Sequence, residues 1–164
     1  MKQEILNKAG SKLTLGGVFL YRSSVEFCDN YITEVDDNFE AAYSTQSYRY
    51  VRECNQFQSE DDNGNVVFLY KFIYEVGLRL VDPEQDQQDE EFIKSEIEAS
   101  YSVEYASNEE LDQEQIAEFS KHNVAYHVWP YWREFVQNSC MRVGASPIIV
   151  PLYTQYQQQA GQEK

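Results

Sequence analysis

Eight apolar residues in strict alternation constrain this chain more than any other feature. Val66, Phe68, Tyr70, Phe72, Tyr74, Val76, Leu78 and Leu80 occupy every second position, and the positions between them are mixed: Val67, Leu69, Lys71, Ile73, Glu75, Gly77 and Arg79. A period of two belongs to a strand, whose side chains point to opposite faces in turn. At about 3.3 Å per residue such a strand runs roughly 50 Å, against a usual five or six residues. Residues 93–105 repeat the pattern. Ile93, Ser95, Ile97, Ala99, Tyr101, Val103 and Tyr105 share one face, and Lys94, Glu96, Glu98, Ser100, Ser102 and Glu104 the other. One dry and one wet face point to antiparallel pairing.

Two further strands are predicted upstream. In residues 18–27, Tyr21, Ser23, Val25 and Phe27 fall on one face and Arg22, Ser24 and Glu26 on the other. In residues 39–52, Phe39, Ala41 and Tyr43 alternate, Tyr48 and Tyr50 follow, and the phase changes near Gln46 and Ser47, which predicts a bulge there. Polar turns are predicted at Asp36-Asp37-Asn38, at 59–65 around the hairpin pair Asn63-Gly64, and at 82–91 behind Asp82-Pro83. Residues 109–119 read as a short helix with an acidic first turn. A longer helix is predicted over 122–143, with Val124, Val128, Tyr131 or Trp132, Phe135, Val136, Cys140 and Val143 as its apolar stripe. Pro130 kinks that helix or marks its start, and Gly144 caps its end. Residues 147–151 read as extended, and 154–164 as a flexible Gln-rich tail. The expected fold class is α+β, a four-stranded antiparallel sheet with one long and one or two short helices on one face, in a single domain over 1–164.

Charge narrows the partners. With 28 Asp and Glu against 13 Lys and Arg, the formal charge is −15. Phosphate backbones and anionic membranes both call for basic surface, so neither nucleic acid nor a membrane is expected as a partner. The apolar stretches fall short of the ~20 residues of a membrane helix, and residues 13–26, with Gly16, Gly17, Arg22 and Glu26, make a poor signal peptide. Cys28, Cys54 and Cys140 are odd in number and widely spaced, which gives neither a disulfide framework nor zinc ligand pairs. A reducing, cytoplasmic location follows as the expectation.

Chemistry-bearing constellations are weak. His122 and His127 stand five apart and share no helix face. Asp82-x-Glu84-x-Asp86 resembles a calcium loop, but Gln87 stands at the glycine position and Ile93 where a bidentate Glu belongs. Cys140 has no His or Asp at a useful helical spacing, and no Gly-rich phosphate loop occurs. No enzyme activity, cofactor or metal is expected. What remains is a mismatch: four strands with long aromatic faces, and little helix to cover them. Such surface calls for a second copy of the chain, for visiting polypeptides in open grooves, or for both.

The segment Trp129-Pro130-Tyr131-Trp132-Arg133-Glu134 resembles the aromatic-Pro-Tyr-x-Arg-Glu signature at the start of the main helix of SecB export chaperones. Arg142, Gly144 and Pro147 resemble that family's helix end, with Ser146 where Phe is usual, and 147–152 resembles its Pro-rich apolar connector. The resemblance implies a homotetramer, a dimer of dimers, acting as an ATP-independent holdase for unfolded or precursor polypeptides in protein export. As client-binding residues it suggests Tyr21, Phe27, Phe68, Tyr70, Phe72, Tyr74, Tyr101, Val103, Tyr105, Trp129 and Trp132. Packing within the core or between subunits is the competing role for Trp129, Tyr131 and Trp132. Arg133 and Glu134 are expected in ion pairs or in holding the helix to the sheet. Glu26, Glu96 and Glu98 are the partner-docking candidates. The family docks the motor SecA on an acidic outer sheet face; here Ser24 and Cys28 stand where carboxylates are expected, and Lys94 where an apolar residue is. Weak or no docking on SecA is therefore expected. A toxin–antitoxin or other non-SecA system is the alternative setting, and a small-ligand-binding sheet protein the alternative class.

Overall fold

A computed structural model describes residues 2–29 and 43–153. The elements are α1 (Lys2–Lys12), β1 (Thr14–Phe27), β2 (Ser44–Glu60), β3 (Val66–Val81), β4 (Ile93–Ser107) and α2 (Gln113–Arg142). The strands form one antiparallel sheet in the order β1-β4-β3-β2. The two strands with the cleanest alternation are thus the central pair, and β1 and β2 are the edges.

Pairing register sorts the faces. Tyr70, Phe72, Tyr74, Val76 and Leu78 stand opposite Tyr105, Val103, Tyr101, Ala99 and Ile97, and these ten residues form the inner face under α2. Val124, Val128, Trp132 and Val136, spaced by four on α2, are buried against it. The stripe therefore runs through Trp132, and Tyr131 is exposed.

The outer face is polar and tied together. Glu75 accepts hydrogen bonds from Arg52 Nη1 at 2.7 Å and Ser100 Oγ at 2.5 Å, with Arg22 Nη2 at 4.0 Å, so one buried carboxylate reaches all four strands. Tyr48 lies over Gly77, where a Cβ would come within 2.4 Å of its ring, and its hydroxyl donates to Glu98 Oε1 at 2.6 Å. Only glycine leaves room for that ring to cross β3.

Several sequence expectations are corrected. Residues 109–119 and 122–143 are parts of one 30-residue helix. Asp112 accepts from the Gln115 amide and the Gln115 side chain accepts from the Asp112 amide, a capping box that sets the start at Gln113. Pro130 sits inside the helix on its exposed side, where water can take up the carbonyl that the missing N–H leaves. Gly144, at φ 72°, ends the helix as expected. The N-terminal helix α1 was not predicted; it packs on α2, with Ala9 in the core and Leu6 against it. Strand β2 runs on to Glu60, and its register shift falls at Arg52, between Val51 and Glu53, rather than at Gln46 and Ser47. Strand β1 starts at Thr14, and a shift between Leu20 and Arg22 takes Tyr21 out of phase with Ser23, Val25 and Phe27. Phe39, Ala41, the turn at 36–38 and the tail 154–164 lie outside the described residues.

Candidate polypeptide-binding surface

The aromatic residues read from the sequence as client-binding divide sharply in the fold. Tyr70, Phe72, Tyr74, Tyr101, Val103, Tyr105, Trp129 and Trp132 are all buried within the one chain. The 30-residue helix covers more sheet than two shorter ones would, so the predicted deficit of cover on β3 and β4 does not arise. The rings pack on one another, with Phe72 and Phe119 each edge-on to Tyr105 or tilted within 6.0 Å. Two of their hydroxyls are used locally, whereas the buried Tyr74 hydroxyl has no hydrogen-bond partner among the described residues. Tyr70 accepts from the Leu111 amide at 2.8 Å, and Tyr105 lies 2.8 Å from His127 Nδ1. Burial holds the Tyr74, Tyr101 and Tyr105 hydroxyls above their ordinary pKa and pushes the His127 imidazole below its own, so that pair is neutral. Phe27 and Phe68 are half-buried, and Tyr21 is exposed at the β1 bulge, within electrostatic reach of Arg52.

Apolar surface is left elsewhere. On the edge strand β1, Leu15, Phe19, Leu20 and Val25 are exposed; on the outside of α2, Tyr126, Tyr131 and Met141; on β2, Tyr50 and Phe57. A shallow depression of about 230 Å³ lies at the end of β2, lined by Gln56, Phe57, Gln58, Phe68, Tyr70 and Glu110.

After Gly144 the chain returns along α2 as an extended strap, residues 145–153. Two side chains of α2 hold its main chain. Trp129 Nε1 donates to the Pro151 carbonyl at 2.7 Å, and Arg133 Nε to the Val150 carbonyl at 2.9 Å. The Arg49 guanidinium, from the inner face of β2, lies 5.0 Å from the Trp129 ring and 5.5 Å from the Tyr153 ring. Within the strap Val150 is buried, whereas Ile149 and Leu152 are 76% and 67% exposed. Arg133 thus binds a carbonyl rather than a carboxylate, and Glu134 accepts from the Asn138 amide. Arg49 and Tyr153 carried no signal in the sequence, because the meeting of β2 with the strap is a tertiary event.

The docking candidates do converge. Glu26 stands directly opposite Glu96 on the outer face, and Glu98 lies two residues along β4. Ser24 Oγ donates to Glu26 Oε1 at 3.1 Å. Partial burial, then the neighbouring Glu98, holds the Glu96 carboxyl above its usual pKa. Lys94 is buried, 3.9 Å from Asp82 and 5.9 Å from the Tyr43 ring. Among the described residues no group of His, Cys, Asp and Glu is arranged to hold a metal, and no helix is long and apolar enough to cross a membrane.

A sheet in the order β1-β4-β3-β2, covered on one face by a long helix that carries the Trp-Pro-Tyr-Trp-Arg-Glu segment, has the SecB-like fold. The chain superposes on a SecB-like chaperone of Mycobacterium tuberculosis, solved in complex with a ChAD peptide from an antitoxin, with a TM-score of 0.63 and 11% identity over 93% of this chain and 99% of that one. A protein of unknown function from Streptococcus agalactiae aligns at a TM-score of 0.39 and 6% identity, over 86% and 98% of the two chains. No protein-family model matches the sequence, and no curated protein does.

Proposed function

We propose that this chain is an ATP-independent chaperone that holds unfolded or precursor polypeptides, acting in the cytoplasm as a SecB-like homotetramer. The observation that carries this reading is the apolar surface that survives folding: Leu20 on a free sheet edge, Tyr126 and Met141 on the outside of α2, and Ile149 and Leu152 on the strap. Large apolar side chains exposed on an edge strand, a helix and the strap offer contact points for a polypeptide, and a charge of −15 favours solubility of a chain that carries them. Unpaired main-chain groups on an edge strand and pockets for alternate side chains suit extended clients. The SecB-like fold supports the reading independently.

The rival small-ligand reading needs a pocket on the aromatic inner face. That face is filled instead by Val124, Val128, Trp132 and Val136. Between export and a toxin–antitoxin setting, the outer face favours a system without SecA, since Lys94 is buried beside Asp82 and Ser24 stands where a carboxylate is needed. Stoichiometric amounts of the protein should suppress light scattering by several chemically unfolded clients without ATP, and calorimetry against SecA should show no submicromolar complex. Scattering unchanged for every client would defeat the chaperone reading; a tight SecA complex would defeat the choice of setting alone.

A further inference from the structure

The outer face of the sheet has a second layer of its own. Ile73, Glu75, Ser100 and Ser102 stand on that face and are buried, although both described helices lie on the opposite side, α2 over the inner face and α1 on α2. Side chains of the edge strands provide the cover. Phe19 leans over Gly17, where a Cβ would come within 2.5 Å of its ring, as Tyr48 leans over Gly77. Tyr50 stands opposite Glu75, 6.1 Å from Tyr48, and Tyr21 sits at the β1 bulge within reach of Arg52. The two glycines let rings lie down on the sheet, which makes a flat layer rather than a row of ridges. Its upper side is open: Phe19, Tyr21 and Tyr50 are each more than half exposed.

Charge and register say what fits on this layer. The chain carries −15, yet the patch is balanced, with Arg22 and Arg52 against Glu53 and Glu75, and Lys71 against Glu104. Two copies repel over most of their surface and meet here without that cost. Arg22, Ser100, Glu75 and Tyr50 form one row across the four strands, and Phe19, Ser102, Ile73 and Glu53 form the row beside it. A twofold axis parallel to the strands exchanges the ends of a row. It carries Arg22 of one copy over Tyr50 of the other, with Glu53 of that copy one row along. Arg22 is open for such a contact: it lies 4.0 Å from Glu75, and its side chain is 69% exposed.

We propose that two copies of this chain pack outer face to outer face, β1 of each over β2 of the other, through Phe19, Tyr21, Tyr48 and Tyr50, with Arg22 of each copy over Tyr50 and against Glu53 of the other. Flat faces suit sheets that pack about 10 Å apart. A ring buries about 150–250 Å² in all, so roughly 100 Å² stays open on each of these four. On two copies the rings approach the roughly 1,000 Å² of a specific interface, and Arg22, Glu53 and Leu69 close the gap. The contact is separate from any along the β1 edge, and it does not rest on the chaperone reading. A paired outer face is closed to other partners.

Light scattering of the purified chain from about 5 to about 500 µM reads the contact, since an interface of this size is weak and fills as concentration rises. The native mass of the parent should rise about twofold or more over that range. R22E and E53K should each hold the mass at its low-concentration value, and the double variant R22E/E53K, which exchanges the charges, should recover the rise. Y21S removes a ring, leaves the Glu75 ion pairs in place and should flatten the curve as well, so the outcome does not hang on the folding of R22E. Far-ultraviolet dichroism checks that each variant is folded. A parent mass that stays flat, folded single variants that rise as the parent does, or a double variant that fails to recover overturns the pairing. A flat parent that binds an unfolded, reduced and alkylated protein, where R22E and E53K do not, assigns the face to a foreign chain instead.

Discussion

Glu96 shows how a single residue carries the cost of a polar outer face. It faces Glu26 across β1 and lies near Glu98, and only Arg79, opposite it on β3, offsets them. Its carboxyl is held above the ordinary value of 4.5 by burial first and by Glu98 second. The fold therefore favours the protonated form. Any stabilisation from this group is fully present below 4.5 and is lost as pH rises through the raised value. E96Q should raise the urea midpoint at pH 7, and the advantage over the parent should vanish near pH 4. An advantage of the same size at both pH values would show that ionisation is not the cause. Glu75, buried on the same face, accepts hydrogen bonds from Arg52 and Ser100, partners that no inspection of Glu75 in sequence reveals.

At the scale of elements, α2 decides what is core. Its length turns the aromatic face of β3 and β4 from an open surface into a sealed interior. Trp132 is the largest side chain sealed there, and adjacent Tyr131 points to solvent. Trp132→Ala should cost about 3–5 kcal/mol of unfolding free energy through lost transfer and a residual cavity, and Tyr131→Ala less than about 0.5 kcal/mol; urea melts of both variants check the phase of the helix. The central strands were legible because each buries one face against a helix and strict alternation records that. Strand β2 was misplaced in extent and bulge because an edge strand is exposed along most of its length, so its residues are under little pressure to alternate. Helix α1 went unread because a short helix packed on another helix needs few inward-facing apolar residues, here Leu6 and Ala9.

For the whole molecule, the exposed edge of β1 is the feature that monomeric proteins suppress with charge or proline. Here Leu15, Phe19, Leu20 and Val25 line it, and a further copy of the chain is the simplest cover. The native mass should be near four times 19.2 kDa, and Leu20→Lys should lower it while leaving the far-ultraviolet dichroism unchanged. A parent protein that runs as a monomer would remove the tetramer from the proposal.

The sequence by itself determined the two central strands, the hairpin at Asn63-Gly64, the position of the main helix and the acidic balance, because each is written in local periodicity, turn chemistry or composition. Alternation also put Glu96 and Glu98 on one face of their strand, but it was the pairing of β1 with β4 that set Glu26 beside them. Only the tertiary structure decided which aromatics are sealed and which meet solvent. Burial depends on what crosses over a residue, and it took the unbroken length of α2 and the return of the strap to Arg49 to settle that.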